Sequence, residues 1–215
     1  DNADPAVSSR RYGATVGEKF VNMEKALSAM RPGQSGLMAL DWNNGNRTIL
    51  VDARLTGLLI GQTLHTEAHE IYRAYIEATA FGALTIIKRV EEYGVAVREI
   101  INTGGLSIKN EALMQIYADV IGRPMKVSRS EQTCALGAAI FGAAAAGVGT
   151  VAEIQSRVTA IREKVFTPIA ENHRIYTELY ALYRTLHDAF GTRDWSGKLS
   201  HVMKELLAIR DRRVA

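Results

Sequence analysis

The sequence predicts an α/β domain: a mixed five-stranded sheet with flanking helices, followed by further helices at the C-terminus. Three observations predict it. Residues 36–64 hold three short apolar runs separated by turn signals, as an antiparallel meander requires. Residues 95–128 alternate a β-branched strand, an amphipathic helix and a second strand. Between and after them run long stretches with apolar residues at helical spacing.

Taken in order, residues 1–11 are polar and without periodicity, so no packed element is expected there. Phe20, Met23, Ala26, Leu27 and Met30 recur at helical spacing and predict a helix over about 14–30, stopped by Pro32-Gly33. Residues 1–31 form a lead-in segment, 32–160 the main domain and 161–215 a helical extension. Gly36 to Trp42 reads as a buried strand, and Asn43 to Arg47 as a turn because of its Asn-Gly pair. Thr48 to Val51 and Gly57 to Leu64 are the second and third strands. Thr66 is expected to cap a helix over about 67–93, which Gly94 ends.

Ile100 and Ile101, with Val95 and Val97 before them, predict a fourth strand running into Thr103-Gly104-Gly105. Glycines at a strand end allow positive φ and a close approach of main chain to a ligand. Leu113, Ile116, Tyr117, Val120 and Ile121 mark the helix that follows, with Asn110 or Ser107 as its cap. A strand, a glycine turn and a helix start leave backbone N–H groups where a phosphate could sit, although an ordinary tight turn has the same sequence. Neither a GxGxxG nor a GK[ST] pattern is present. Pro124 to Ser128 is the fifth strand. Cys134 to Gly147, rich in Ala and Gly, is expected to be a helix pressed onto the sheet, with Cys134 buried and inert. A short helix over 151–158 precedes helices over about 171–190 and 197–212. The stripe Tyr176, Leu179, Tyr180, Tyr183 and Leu186 reads as packing.

Composition narrows the function. Of 215 residues, 47% are hydrophobic, enough for a core, and the net charge of +3 is too small to argue for nucleic acid. No apolar run is long enough to span a bilayer. A single cysteine, Cys134, excludes an internal disulfide and fits a reducing cytoplasm. His65 and His69 stand i, i+4, but His65 falls outside the helix and no third ligand is obvious, so no metal site is assigned. Asp41 is expected to bond the Asn-Gly turn or Arg47. The apolar faces of the terminal helices could serve a homodimer.

The element order β-β-β-α-β-α-β-α matches the ribonuclease-H-like half of actin-like phosphotransferases. The Gly-Gly segment with LMQIYADVIGRP, the helix IYRAYIEATAFG, the helix ALGAAIFGAAAAGV and the closing TPIAENHRIYTELYALYRTLHDAF follow in order. On these residues the chain resembles the C-terminal domain of the FGGY carbohydrate kinases, over nearly all of Pro32 to Gly191. The run ALDWNNGNRTILVDARLTGLLIGQTL is similar to one subgroup, with Asn43 where that subgroup tends to carry a second Trp. The resemblance implies transfer of the γ-phosphoryl group of ATP, with Mg²⁺, to a hydroxyl of a ketopentose. L-Ribulose is the substrate in the subgroup matched, and xylulose or glycerol in others. It further implies that Gly104 and Gly105 lie along the nucleotide and that Asn110 reaches the adenine or ribose. The catalytic Asp and most sugar contacts are expected upstream, in an N-terminal domain that this chain, beginning at Asp1, lacks. A non-catalytic actin-like interaction module is the alternative.

Overall fold

A computed structural model describes residues 5–214. The chain runs α1 (Pro5–Tyr12), α2 (Val16–Ser28), β1 (Met38–Leu40), β2 (Leu58–Ile60), α3 (Ala68–Glu92), β3 (Ile100–Asn102), α4 (Gly105–Lys109), α5 (Glu111–Ile121), β4 (Met125–Val127), α6 (Thr133–Ala145), α7 (Val151–Val158), α8 (Ala170–Gly191) and α9 (Val202–Val214). The order is mixed α/β, but the expected five-stranded sheet is not found among the described residues. Two ladders take its place. β1 pairs antiparallel with β2, Met38 opposite Ile60, and β3 pairs parallel with β4, Ile100 opposite Met125.

The strand expected over 48–51 is a bend, and the cause is local. The Asn46 carboxamide oxygen accepts from Ile49 N–H at 3.3 Å and Leu50 N–H at 3.1 Å, taking donors that a ladder would have used. Asn46 and Asp52 close the loop with reciprocal backbone bonds, and Val51 sits at φ 53°. The polar N-terminus also departs from expectation. Pro5 opens helix α1, and Tyr12, buried at its end, bonds His69 Nδ1 at 3.0 Å. Glu67, rather than Thr66, precedes the first turn of α3, with its N–H donating to Glu70 Oε2 at 2.7 Å.

α3 is the central element. Ile76, Ala80 and Phe81 join the main core with Leu27, Met38, Leu40, Met114, Tyr176 and Tyr183, while Ala74 and Ala78 meet Leu37 and Ala39 in a smaller cluster. β1 is therefore apolar on both faces, which is why its sequence is a continuous apolar run. The tyrosine stripe of α8 is packing, as expected: Phe81 lies 5.2 Å from Tyr183, and Tyr180 stacks on Tyr183 at 6.1 Å. Residues 161 and 166 bridge back antiparallel to 128 and 125, so the start of the C-terminal segment runs beside β4.

α6 departs most from expectation. It carries no charged residue, yet Ile140 is its only buried side chain, Phe141 is 66% exposed, and Cys134 is exposed rather than buried. Within the described residues this helix packs on α7, not on a sheet.

Gly82, in the middle of α3, has free space beside it: a Cβ there would meet Tyr183 Oη at 3.8 Å and Asp41 Oδ1 at 4.0 Å, ordinary contact distances. Gly82→Ala is therefore expected to raise stability by about 0.5–1 kcal/mol through helix propensity alone. A lower thermal midpoint for this variant would contradict the packing described around Gly82.

Candidate functional site

The turn Gly104–Asn110 joins β3 to α5. β3 places Ile100 and Asn102 toward the core, and the chain then reverses at Gly104, whose φ of 93° disfavours any side chain. α4 begins at Gly105, and Ser107, buried, donates from its hydroxyl to the Gly104 carbonyl at 2.8 Å, closing the turn on itself. Asn110 begins the next helix: its Oδ1 accepts from Leu113 N–H at 2.7 Å. Gly122, at φ 70°, ends that helix in a left-handed cap.

The three residues singled out from the sequence thus lie on one turn but face different ways. A Cβ built on Gly104 or Gly105 meets nothing within 4 Å, so the main chain here is bare on its outer side. Asn110 is 5% exposed, and its Nδ2 donates to Tyr72 Oη at 3.4 Å. One Nδ2 proton is left, because a carboxamide carries two. Burial, then the Glu24 carboxylate, push the Tyr72 phenol up, with the Asn110 bond acting the other way. Tyr72 therefore stays protonated and holds the Asn110 amide from α3. Sequence reasoning missed Tyr72, and no signal could have found it, since it lies 38 residues from Asn110.

Asp41 behaves otherwise than expected. Among the described residues it forms no ion pair with Arg47, and its carboxylate accepts a hydrogen bond from its own backbone N–H. Burial pushes this carboxyl above its ordinary range, against that bond. No group of three or more His, Cys, Asp or Glu among the described residues is arranged to hold a metal ion. No helix among them is long and apolar enough to cross a membrane.

Residues 10–146 match the family described as "FGGY family of carbohydrate kinases, C-terminal domain". The ribulokinase of Geobacillus thermodenitrificans (strain NG80-2) is 50% identical over 189 residues, covering 86% of this chain and 33% of that protein. The gluconate kinase of Lactobacillus acidophilus superposes with a TM-score of 0.70 at 22% identity, over 89% of this chain and 39% of that one. The glycerol kinase of Plasmodium falciparum, solved with ADP, superposes with a TM-score of 0.62 at 18% identity, over 80% of this chain and 34% of that one. At such identities these structures speak for the fold alone. The chain spans about a third of the length of the curated relatives it matches.

Proposed function

Because this chain belongs to the FGGY family of carbohydrate kinases, as the family's C-terminal domain, we propose that it is the nucleotide-binding part of an ATP-dependent sugar kinase whose substrate is L-ribulose. The observation that carries this reading is the half-identity to a ribulokinase along most of the chain. The geometry that supports it is the bare main chain at Gly104 and Gly105, where a flat nucleoside can lie against peptide groups without meeting a side chain. Neutral recognition suits this end of a nucleotide, while charge belongs with the phosphates.

In this reading Gly104 and Gly105 line the α-phosphate and ribose. The remaining Nδ2 proton of Asn110 points the amide at the adenine or ribose, with Tyr72 fixing its plane. Phosphoryl transfer needs in-line positioning, neutralisation of phosphate charge and a carboxylate to take the hydroxyl proton. Mg²⁺ supplies the neutralisation when bound on the phosphates. In this reading the proton acceptor and most sugar contacts come from the part of such kinases that this chain, about a third of its relatives' length, does not span. A cytoplasmic location follows from the same reading, since the substrates are there.

Gly105→Val tests the nucleotide placement. Its Cβ has open space, so the fold is expected to survive, while the branched side chain occupies the ligand's path. Calorimetry on the full-length protein should show ATP affinity reduced about tenfold or more, a loss of roughly 1.4 kcal/mol. Unchanged affinity would place the nucleotide elsewhere. Turnover of the wild-type full-length protein with ATP and L-ribulose, compared with xylulose and glycerol, tests the substrate. No ATP consumption with any of them would leave the non-catalytic reading.

A further inference from the structure

A cavity of about 340 Å³ lies between α3, α8 and the 45–49 loop. Gly82 lines it and brings no side chain: a Cβ there would stand 3.8 Å from Tyr183 Oη and 4.0 Å from Asp41 Oδ1. A glycine in a helix interior costs stability. Here it leaves room beside a carboxylate.

That carboxylate has no cation. Asp41 is half-buried, and among the described residues it meets only its own backbone N–H. Its neighbours inside the cavity supply no positive charge. His187, buried on α8, stays neutral, because burial pulls it below its ordinary range against the Asp188 carboxylate that its Nδ1 meets at 2.8 Å. Tyr117 and Tyr183 keep their protons, since burial pushes both phenols up. Arg47 is exposed on the rim, and among the described residues it forms no ion pair with Asp41.

This charge selects the ligand. A desolvated carboxylate without a cation is costly, so a cation that reaches it gains that energy on binding. A neutral ligand would leave the charge standing, and an anion would add to it. A divalent metal ion needs several oxygen ligands, and Asp41 is the only carboxylate lining this space among the described residues. An ammonium group brings a single charge together with N–H donors that Asp41 can accept. Trp42, Tyr117 and Tyr183 suit the carbon chain attached to it, and aromatic rings attract an ammonium further. The volume is at the lower end of the range for small-molecule pockets, about 300–1,000 Å³.

We propose that this cavity binds a small organic monocation, a primary alkylammonium, whose N–H groups donate to Asp41 while its carbon chain lies along Tyr117 and Tyr183. Neither Gly104 nor Gly105 lines the cavity, and neither nucleotide nor sugar enters the test, so its failure leaves the phosphotransfer reading as it stands. Butylammonium is titrated by calorimetry into the full-length protein, beside butanol, its neutral counterpart, and potassium. Butylammonium is expected to bind at millimolar concentration or below, with butanol and potassium weaker by about tenfold or more. Asp41→Asn should weaken butylammonium by about tenfold or more, as for a lost bond to a charged group. The same variant should unfold at or above the wild-type temperature, because it removes an unpaired charge and leaves the shape unchanged. Arg47→Ala should leave butylammonium affinity unchanged. Absence of butylammonium binding, equal binding of butanol or potassium, or binding kept in Asp41→Asn would each overturn the proposal. So would a marked loss of stability in Asp41→Asn, which would mean that Asp41 already has a partner, or binding seen only in Arg47→Ala, which would mean that Arg47 is that partner.

Discussion

Replacing Arg73 with Met is expected to destabilise the fold by about 3–5 kcal/mol, the cost of leaving a buried charge without its partner. Arg73 is 5% exposed in the middle of the molecule. Its Nε donates to Glu77 Oε1 at 2.8 Å, one helical turn on, and its Nη2 donates to Tyr176 Oη at 2.9 Å. Its Nη1 reaches the carbonyls of Leu27 and Met30 at 2.7 and 2.8 Å, at the end of α2, where the Leu27 carbonyl also accepts from Met30 N–H at 3.2 Å. Tyr176 in turn donates to Glu77 Oε1 at 2.8 Å. Burial, then the Glu77 carboxylate, push the Tyr176 phenol far up, so it remains a donor. One guanidinium therefore joins α2, α3 and α8. Without it, Glu77 remains 4% exposed with a single side-chain donor, Tyr176, and the Leu27 and Met30 carbonyls each lose the guanidinium bond.

The same network makes a second, sharper expectation. In Arg73→Met/Glu77→Met/Tyr176→Phe every member of the charged cluster is replaced by an apolar group of similar size. Much of the loss should then be recovered, because the penalty lies in the unpaired charge and not in the missing pair. Urea unfolding of the single and triple variants measures both. A single variant within about 1 kcal/mol of wild type would mean that water reaches Glu77 and that the cluster is not buried as described.

Asp119→Ala carries the next largest effect, about 3 kcal/mol, from three donors that lose a charged acceptor. Asp119 is 2% exposed on α5. Its Oδ1 accepts from Ile169 N–H and from Gln115 Nε2, and its Oδ2 from Asn172 Nδ2, each at 2.8 Å. Ile169 is the N-cap position of α8 and has no side chain able to cap. A carboxylate from another helix does that work, with its charge at the favourable end of the helix dipole. Its own carbonyl also meets His173 Nδ1 at 2.8 Å. Asp119→Asn, which keeps one acceptor oxygen, is expected to lose about half as much. Hydrogen exchange should show the first turn of α8 opening in Asp119→Ala. Protection unchanged there, with stability unchanged, would mean that α8 is capped by something else.

The candidate turn was legible because its signals are adjacent in the chain. Gly104-Gly105 after a β-branched run, and Asn110 three residues before Leu113, are patterns that a few neighbouring residues specify. Which way Asn110 faces was not legible, because Tyr72 comes from another helix. The expectation for residues 48–51 failed for a related reason. Their β-branched composition is real, but Asn46, which reads as a turn residue, caps the backbone of the very residues expected to pair. Asp41 stood out in the sequence, but its surroundings did not, since Gly82, Tyr117 and Tyr183 come to it from three helices.

What the amino-acid order alone determined is the family, the helices α2, α3, α5 and α8, the places of strands β1 to β4, though the run expected over Gly57 to Leu64 pairs only over Leu58–Ile60, and the glycine turn between β3 and α5. These depend on apolar period, turn residues and caps, which act over one or two turns of chain. Only the tertiary structure decided that Arg73 and Glu77 are buried together, that Asp119 caps a distant helix, and that the charge-free α6 lies against α7. A polar residue's cost or benefit depends on which partner lies opposite it, and that partner is set by packing between elements far apart in the chain.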